Sequence, residues 1–388
     1  MSALIRSVVL KVASRCNLNC GYCYLYNHQD KSIFQQPKII REDVFATLLE
    51  RMVNHCDRHG HRMGITFHGG EPTLLGMERF EELILRARAR LGDRLNGLSV
   101  QTNATLIDDD WASMLFRNDL SVGVSLDGPA EIHDRMRVTH SGGGSHLEAV
   151  RGIEALRRAG VSVRVLCVVN PNTDGSASYR YFRSLGLTWI DFLLPDISHD
   201  SKTAFYGPGP HPVADYLLPI LDAWQSEDDP NVMIPVFWDL FSRLMGSERS
   251  STDCFGNPAM TYVIVNTDGS IEPLDALKVC DEGMTRTEFN VLRNSFDELT
   301  SRPSLLADAL RGRFAPCAEC KSCRYGTVCA GGYLPHRYRR ENGFDNPSVW
   351  CDDIKLVLDR MVEIIARSGI NEASAPPSAF AMESMHFQ

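Results

Sequence analysis

The first half of the chain alternates β-prone runs with amphipathic helical runs, and this order restricts the possible folds more than any other feature. Six runs are typical of strands: SVVLKV, GITFH, LSVQTN, VGVSLD, SVRVLCVV and WIDFLL. Helical patterns separate most of them, and in the first Val44, Leu48 and Met52 fall on one face. Such alternation indicates parallel strands joined by right-handed crossovers. The sequence therefore predicts an α/β fold, a partial, open (β/α)6 TIM-like barrel over residues 1–235, with ligand-binding loops after the strands.

The second half of the chain has a different pattern. A stretch rich in Pro, Gly and Ser begins near residue 196, and Asp268-Gly269 between two β-prone runs predicts a hairpin turn. Cysteine-rich chain follows, then a helical pattern over residues 352–368 and a segment of low complexity. We predict a small cysteine-rich domain over residues 236–368 and a flexible tail over residues 369–388.

Charge and hydropathy argue against several classes of protein. The 388 residues include 40 basic and 49 acidic side chains, a net charge of -9, which argues against a surface built to bind a phosphate backbone. The N-terminal sequence does not match a secretory signal, and no segment approaches the ~20 apolar residues that span a bilayer. We expect a cytoplasmic protein that binds neither nucleic acid nor membrane. Its twelve cysteines then indicate metal binding rather than disulfides, with the isolated Cys56 and Cys167 as buried apolar side chains.

Three cysteines follow the first predicted strand directly. Cys16, Cys20 and Cys23 lie within eight positions, and no fourth cysteine occurs before Cys56. Structural zinc prefers four closed ligands, which His28 could complete. Three thiolates instead suit a cubane iron-sulfur cluster that leaves one iron open.

The stretch CNLNCGYC resembles the CxxxCxxC signature of the radical S-adenosylmethionine (SAM) enzymes, including Tyr22 before the last cysteine. The resemblance implies a 4Fe-4S cluster on Cys16, Cys20 and Cys23 whose open iron binds SAM. It also implies that an electron from the cluster cleaves SAM to a 5′-deoxyadenosyl radical, which abstracts hydrogen. An external electron donor such as flavodoxin or ferredoxin is implied as a partner.

The loop after the second strand, HGGEP, resembles the GGEP motif of that family. Gly69 and Gly70 allow the backbone to approach a ligand, and Glu71 can accept a hydrogen bond from an ammonium group. The resemblance implies contact with the methionine amino group of SAM. His68, just before the glycines, is a further candidate for contact with the cofactor.

Polar residues follow the third and fourth strands. Asn103 comes after the third, and Ser125, Asp127 and Arg137 come after the fourth. Arg137 could bind the SAM carboxylate through two hydrogen bonds, and Ser125 could bind the ribose or methionyl end. For Asn103 and Asp127, local hydrogen bonds to the turn backbone are an equal alternative.

A second set of cysteines lies near the C-terminus and resembles the auxiliary-cluster region called SPASM. The resemblance implies one complete iron-sulfur cluster on four thiolates, although a zinc knuckle remains an alternative. These ligands are Cys320, Cys323, Cys329 and Cys351.

A second auxiliary site departs from the family pattern. Leu274 and Tyr333 stand where the family has cysteines. Cys254, Cys280 and Cys317 could hold a rearranged cluster, or the site could hold none. The predicted cofactors are therefore SAM, its 4Fe-4S cluster and one or two auxiliary 4Fe-4S clusters.

Asp275 and the run PHRYRREN are the remaining features of interest. In related sulfatase-maturing enzymes the aspartate that matches Asp275 is proposed to take a proton from the substrate, and we predict this catalytic role here. A solvated or strand-end Asp is the alternative. The basic run, residues 335–342, is typical of a solvated face, and a role in substrate binding is the alternative.

Several C-terminal stretches, among them TDGSIEPLDALK and CAGGYLPHRYRRENGFDNPSVWC, resemble three-residue cyclophane-forming maturases. This resemblance implies a precursor peptide, made ribosomally, as substrate. It implies β-hydrogen abstraction followed by a bond between an aromatic carbon and that β-carbon. The alternatives are formylglycine formation from Ser or Cys in a sulfatase, thioether crosslinking, and a non-catalytic metal-binding or redox-sensing protein.

Overall fold

A computed structural model describes residues 4–202, 209–247 and 254–368; the predicted tail, residues 369–388, lies outside the described residues. One eight-stranded sheet has the order β6-β5-β4-β3-β2-β1-β7-β8. Neighbours from β6 to β7 run parallel, and β8 is antiparallel to β7. The strands are β1 (Ser7–Ala13), β2 (Met63–Gly69), β3 (Leu95–Thr102), β4 (Ser121–Ser125), β5 (Val163–Val168), β6 (Ile190–Leu193), β7 (Tyr262–Val265) and β8 (Ile271–Glu272).

Helices connect the parallel strands and continue after them. They are α1 (Glu42–His59), α2 (Met77–Leu91), α3 (Asp109–Arg117), α4 (Ala130–His133), α5 (His146–Arg158), α6 (Gly175–Ser184), α7 (Pro212–Glu227), α8 (Pro235–Leu244), α9 (Leu305–Leu310), α10 (Ala318–Lys321), α11 (Gly326–Cys329) and α12 (Cys351–Ser368). Short 3-10 helices span Ser32–Gln35, Pro72–Leu75, Gly92–Arg94, Asp275–Val279, Phe296–Glu298 and Leu334–Arg337.

The first six strands confirm the predicted α/β fold. β1 and β2 are buried almost throughout, as expected for parallel strands covered on both faces. The core of apolar side chains contains Cys56 and Cys167, which are 2 % and 0 % exposed. Among the described residues, no helix combines the length and apolarity needed to cross a membrane.

The hairpin of the second half joins the same sheet. β7 pairs with β1 in parallel, with Ser7 opposite Tyr262 and Leu10 opposite Val265. The predicted turn is present, and Gly269 adopts a positive φ of 87° there, which glycine allows without strain. The boundary near residue 235 stays a prediction, because the sheet runs continuously from the first part of the chain into the second.

Candidate active site

The three-cysteine loop begins where β1 ends, and its thiols line a cavity at the carboxyl ends of the strands. Burial raises the pKa of Cys16, Cys20 and Cys23, that of Cys23 to about 11. At neutral pH these thiols therefore keep their protons in the metal-free chain. Thiolates are the form that binds iron, so cluster assembly would release these protons.

The two glycines after β2 allow this loop to pack against the cysteine loop. A Cβ on Gly69 would lie 2.0 Å from the Ala13 carbonyl oxygen, and one on Gly70 would lie 2.4 Å from that of Arg15. Gly70 N donates to Ala13 O at 2.8 Å. The sequence predicted that the glycines approach a ligand; the structure shows that they also approach the protein backbone. His68 Nδ1 accepts from Gly69 N at 2.8 Å, and His68 lines the cavity.

Glu71 is buried and connects two loops of the site. Its carboxylate accepts from Thr73 N at 3.1 Å and Thr73 Oγ1 at 2.7 Å. It also accepts from Thr102 Oγ1 at 2.6 Å and Asn103 N at 2.8 Å. Burial raises the pKa of Glu71. A carboxylate has about four acceptor positions, and these four hydrogen bonds hold the loops after β2 and β3 together. Contact between Glu71 and SAM remains a prediction.

Asn103 and Ser125 face the same cavity. Asn103 Nδ2 donates to Asn17 Oδ1 at 2.9 Å and lies 3.8 Å from Cys16 Sγ. Ser125 Oγ accepts from Gln101 Nε2 at 3.0 Å. Asn103 therefore holds the cysteine loop to the end of β3, and Ser125 is held by a neighbouring strand.

Arg137 is buried beside the cysteine loop. Its Nε donates to Asp127 Oδ2 at 2.8 Å, and Tyr22 Oη donates to the same oxygen at 2.5 Å. The guanidinium carbon lies 5.3 Å from the centre of the Tyr22 ring. Asp127 Oδ1 also accepts from Val168 N at 3.1 Å. Asp127 thus serves to orient Arg137, which sequence reasoning left open.

The predicted cofactor contacts and the three thiols all line one cavity. The lining includes Cys16, Cys20, Cys23, His68, Gly69, Gly70, Glu71, Asn103, Ser125 and Arg137. His28, the alternative zinc ligand, does not contribute to this lining, and its ring lies near the Tyr22 backbone and Lys31. Three thiols with polar and cationic groups in one wall form a donor set that fits a cluster with SAM.

Asp275 lies in a buried ion pair that the sequence did not reveal. Each of its carboxylate oxygens is 2.8 Å from Lys11 Nζ. The side chains of Lys11 and Asp275 are 0 % and 4 % exposed. Ala276 lines the cavity, whereas Asp275 lies behind that lining. A lysine within the apolar run SVVLKV was the signal that could have predicted a buried partner.

The second set of cysteines lines a separate cavity between α10, α11 and the start of α12. Burial raises the pKa of Cys320 and Cys329 to about 12 and also raises the pKa of Cys351. Four thiols around one cavity fit a complete auxiliary cluster. They are the predicted Cys320, Cys323, Cys329 and Cys351.

The three other candidate ligands have different neighbours. Cys254 lines the main cavity, Cys280 Sγ lies 3.8 Å from the Pro335 carbonyl oxygen, and Cys317 contacts Cys320. These contacts do not place the three cysteines around one site. A rearranged cluster on them stays a prediction. Leu274 and Tyr333 are buried.

One compact group of potential ligands lies elsewhere. Within the described ranges, the group with three possible ligand atoms all within 4.8 Å of one another is His55, His59 and Asp297. His55 Nε2 accepts from Ile5 N at 3.2 Å, so Nδ1 carries the hydrogen and donates to Asp297 at 3.0 Å. This group is therefore a hydrogen-bonded contact between α1 and the 3-10 helix at Phe296–Glu298.

The run at residues 335–342 was predicted to be a solvated face, which is wrong for its first part. His336 and Arg337 are each 1 % exposed. The Arg337 guanidinium donates to the carbonyl oxygens of Phe314 at 3.0 Å and Ala315 at 2.6 Å. The carbonyl groups that accept these hydrogen bonds are distant in sequence, so the residues around Arg337 do not indicate that its guanidinium is buried.

Comparisons with known proteins agree with this site. Residues 10–176 match the Radical SAM superfamily. The cysteine-type anaerobic sulfatase-maturating enzyme of Clostridium perfringens is 28% identical over 357 residues, which are 90% of this chain and 94% of that enzyme. The solved structure of native anSMEcpe with bound AdoMet has a TM-score of 0.81 and 26% identity, covering 93% of this chain and 99% of that one. The same protein with AdoMet and Cp18Cys peptide has a TM-score of 0.79 and 27% identity over the same shares.

The match extends from the middle of β1 to the start of α6 and includes the three-cysteine loop and the residues proposed to hold SAM. The predicted cofactors, SAM and iron-sulfur clusters, agree with the family model and with the AdoMet-bound relative. Residues 10–176 therefore match a radical SAM domain, and over nine tenths of its length the enzyme is similar to the anaerobic sulfatase-maturating enzymes.

Proposed function

We propose that this enzyme is a peptide maturase that oxidises its substrate by two electrons, beginning at a β-carbon–hydrogen bond. The observation that carries the proposal is a single cavity that contains the predicted SAM site and extends to residues of the second half of the chain, including Val236, Ala276 and Tyr333. Support also comes from the similarity, over nine tenths of the chain, to enzymes that mature sulfatases.

The chain's own residues would bind and orient the cofactor. When bound, the cluster on Cys16, Cys20 and Cys23 together with SAM supplies hydrogen-atom abstraction. Arg137, fixed by Asp127, presents its remaining N–H groups to a carboxylate. Ser125 and Asn103 would contact the rest of SAM.

The oxidation removes two hydrogens from the peptide. One leaves as an atom, and the second leaves as a proton and an electron. When the substrate residue is Cys, water then adds to the resulting thioaldehyde and the sulfur leaves as hydrogen sulfide, which gives formylglycine. The four-cysteine site offers a place for an electron-accepting cluster. Asp275 is the proposed proton acceptor, because Lys11 fixes its carboxylate directly behind the cavity lining, next to Ala276.

Two products are proposed. The comparisons favour formylglycine from Ser or Cys, since the similar enzymes mature sulfatases. A three-residue cyclophane, in which an aromatic carbon is joined to a β-carbon, is the second candidate. It is supported by the resemblance of TDGSIEPLDALK and CAGGYLPHRYRRENGFDNPSVWC to the cyclophane-forming maturases.

The test is anaerobic reconstitution with iron and sulfide, followed by reductant, SAM and peptide. We expect 5′-deoxyadenosine and a peptide that reacts with a hydrazide if it carries formylglycine. A peptide with an aromatic-x-x motif would instead lose two hydrogens without gaining an aldehyde if a cyclophane forms. A colourless protein that yields no 5′-deoxyadenosine would refute radical chemistry, and unchanged peptides would refute the maturase proposal.

A further inference from the structure

The main cavity has an aromatic wall built by residues that follow position 235. Phe255, Tyr262, Tyr333 and His336 line it together with Val236. None of these residues belongs to the predicted SAM contacts. This part of the wall is therefore available to another molecule.

His336 contributes a ring with two nitrogens to this wall, and neither nitrogen has a hydrogen-bond partner within the described parts of the chain. It is 1 % exposed, and neither Nδ1 nor Nε2 has a hydrogen-bond partner there. The nearby Pro195 carbonyl does not reach hydrogen-bond geometry with either nitrogen and accepts from Trp350 Nε1 at 3.3 Å. The ring stacks edge-on against Tyr333 at 5.1 Å and Trp350 at 6.4 Å.

An imidazole in this environment is neutral. Burial lowers the pKa of His336 to about 3, so at pH 7 the ring has one N–H donor and one acceptor nitrogen. Buried polar atoms without partners are few in native proteins, and each calls for a ligand, a water or another explanation. The aromatic neighbours favour a flat apolar ligand, and the neutral imidazole favours an uncharged polar group on it.

We propose that this wall binds an aromatic side chain of the peptide substrate and that His336 accepts a hydrogen bond from its ring N–H or O–H. The preferred side chain is therefore tryptophan or tyrosine rather than phenylalanine. The inference rests on the proposed function only in taking the ligand to be part of a peptide. It holds for either product, because the ring can be the reacting group or a neighbour that fixes the register.

The test compares binding of two probes to the anaerobic holoenzyme by equilibrium dialysis. N-acetyl-tryptophanamide is expected to bind about three- to tenfold more tightly than N-acetyl-phenylalaninamide, the range that one net hydrogen bond gives. His336→Phe keeps an aromatic ring and removes both nitrogens, so it should abolish the difference. His336→Asn should restore part of it, because the amide can again accept.

A matched control is His199→Phe, since His199 is half-buried nearby but does not contribute to the cavity lining; it should keep the preference. Unfolding temperature checks that each variant folds, and His336→Phe should not lower it, because the substitution removes an unpaired polar group. Equal binding of both probes by the wild type, or an unchanged preference in His336→Phe, would overturn the inference. Formation of 5′-deoxyadenosine without peptide tests the radical function separately.

Discussion

The ion pair between Lys11 and Asp275 gives the sharpest prediction for stability. Replacing Lys11 by Met leaves the Asp275 carboxylate buried without its cation. With 2.8 Å between Nζ and each oxygen, the attraction at an effective dielectric constant of 20 is about 6 kcal/mol. Desolvation offsets much of this attraction, and losing one partner of a buried pair costs about 3–5 kcal/mol.

The assay is thermal unfolding followed by circular dichroism. An unfolding entropy of about 2.1 cal/mol/K per residue over 388 residues gives about 0.8 kcal/mol/K. Lys11→Met should therefore lower Tm by about 4–6 °C. The double variant with Asp275→Leu should recover most of this loss, because replacing both partners by apolar groups is often neutral or stabilising.

Arg302→Met provides the matched control. Arg302 pairs with Glu288 at 2.7 Å, but the two side chains are 68 % and 55 % exposed. Surface pairs contribute about 0–1 kcal/mol, so Tm should fall by about 1 °C or less. Equal Tm values for Lys11→Met and the double variant would refute the coupling. With the fold restored, an unchanged yield of oxidised peptide would show that Asp275 is not the proton acceptor.

Three further outcomes are expected. Gly70→Ala should lower cluster content and SAM binding, because its Cβ would lie 2.4 Å from a backbone carbonyl oxygen, whereas Gly97→Ala, with nothing within 4 Å of the added Cβ, should retain both. Burial lowers the pKa of His133 to about 4. As the pH falls, the unfolded chain, in which His titrates near pH 6.5, therefore takes up this proton before the folded chain does. The urea midpoint should then fall as pH decreases from about 6.5 to about 4, and less so in His133→Gln; equal slopes would refute this. Cys329→Ser should lower the iron content by about four irons per chain. Cys254→Ser should leave the iron content unchanged if the first auxiliary site is empty. Iron analysis of the two variants measures both outcomes.

Local sequence predicted the features that lie within one segment. The spacing of Cys16, Cys20 and Cys23 and the six strand runs all depend on neighbours a few residues apart. Parallel strands place their following loops at one edge of the sheet, so Asn103 and Arg137 could also be assigned to the cavity. Both residues line the cavity in the structure, since chain topology alone brings these loops together, and their contact with SAM stays a prediction.

Contacts between distant segments could not be predicted in the same way. Lys11 and Asp275 are 264 positions apart, and their pairing depends on β7 lying beside β1. His336 belongs to a run whose charge pattern suggested exposure, yet it is buried between Tyr333 and Trp350. The sequence alone does not show which residue pairs with a buried charge such as Lys11. Nor does it show that a buried polar side chain such as His336 has no partner among the described residues.

The position of β1 explains why the site needs both halves of the chain. β1 pairs with β2 on one side and β7 on the other, and the cysteine loop extends from its carboxyl end. Lys11 within β1 is neutralised by Asp275, which follows the β7–β8 hairpin. Without the second half, β1 would be an open edge carrying an unpaired buried lysine. The cysteine loop is therefore held in place by the same part of the chain that carries Asp275 and forms the aromatic wall, so the predicted cofactor site and the proposed peptide site assemble together.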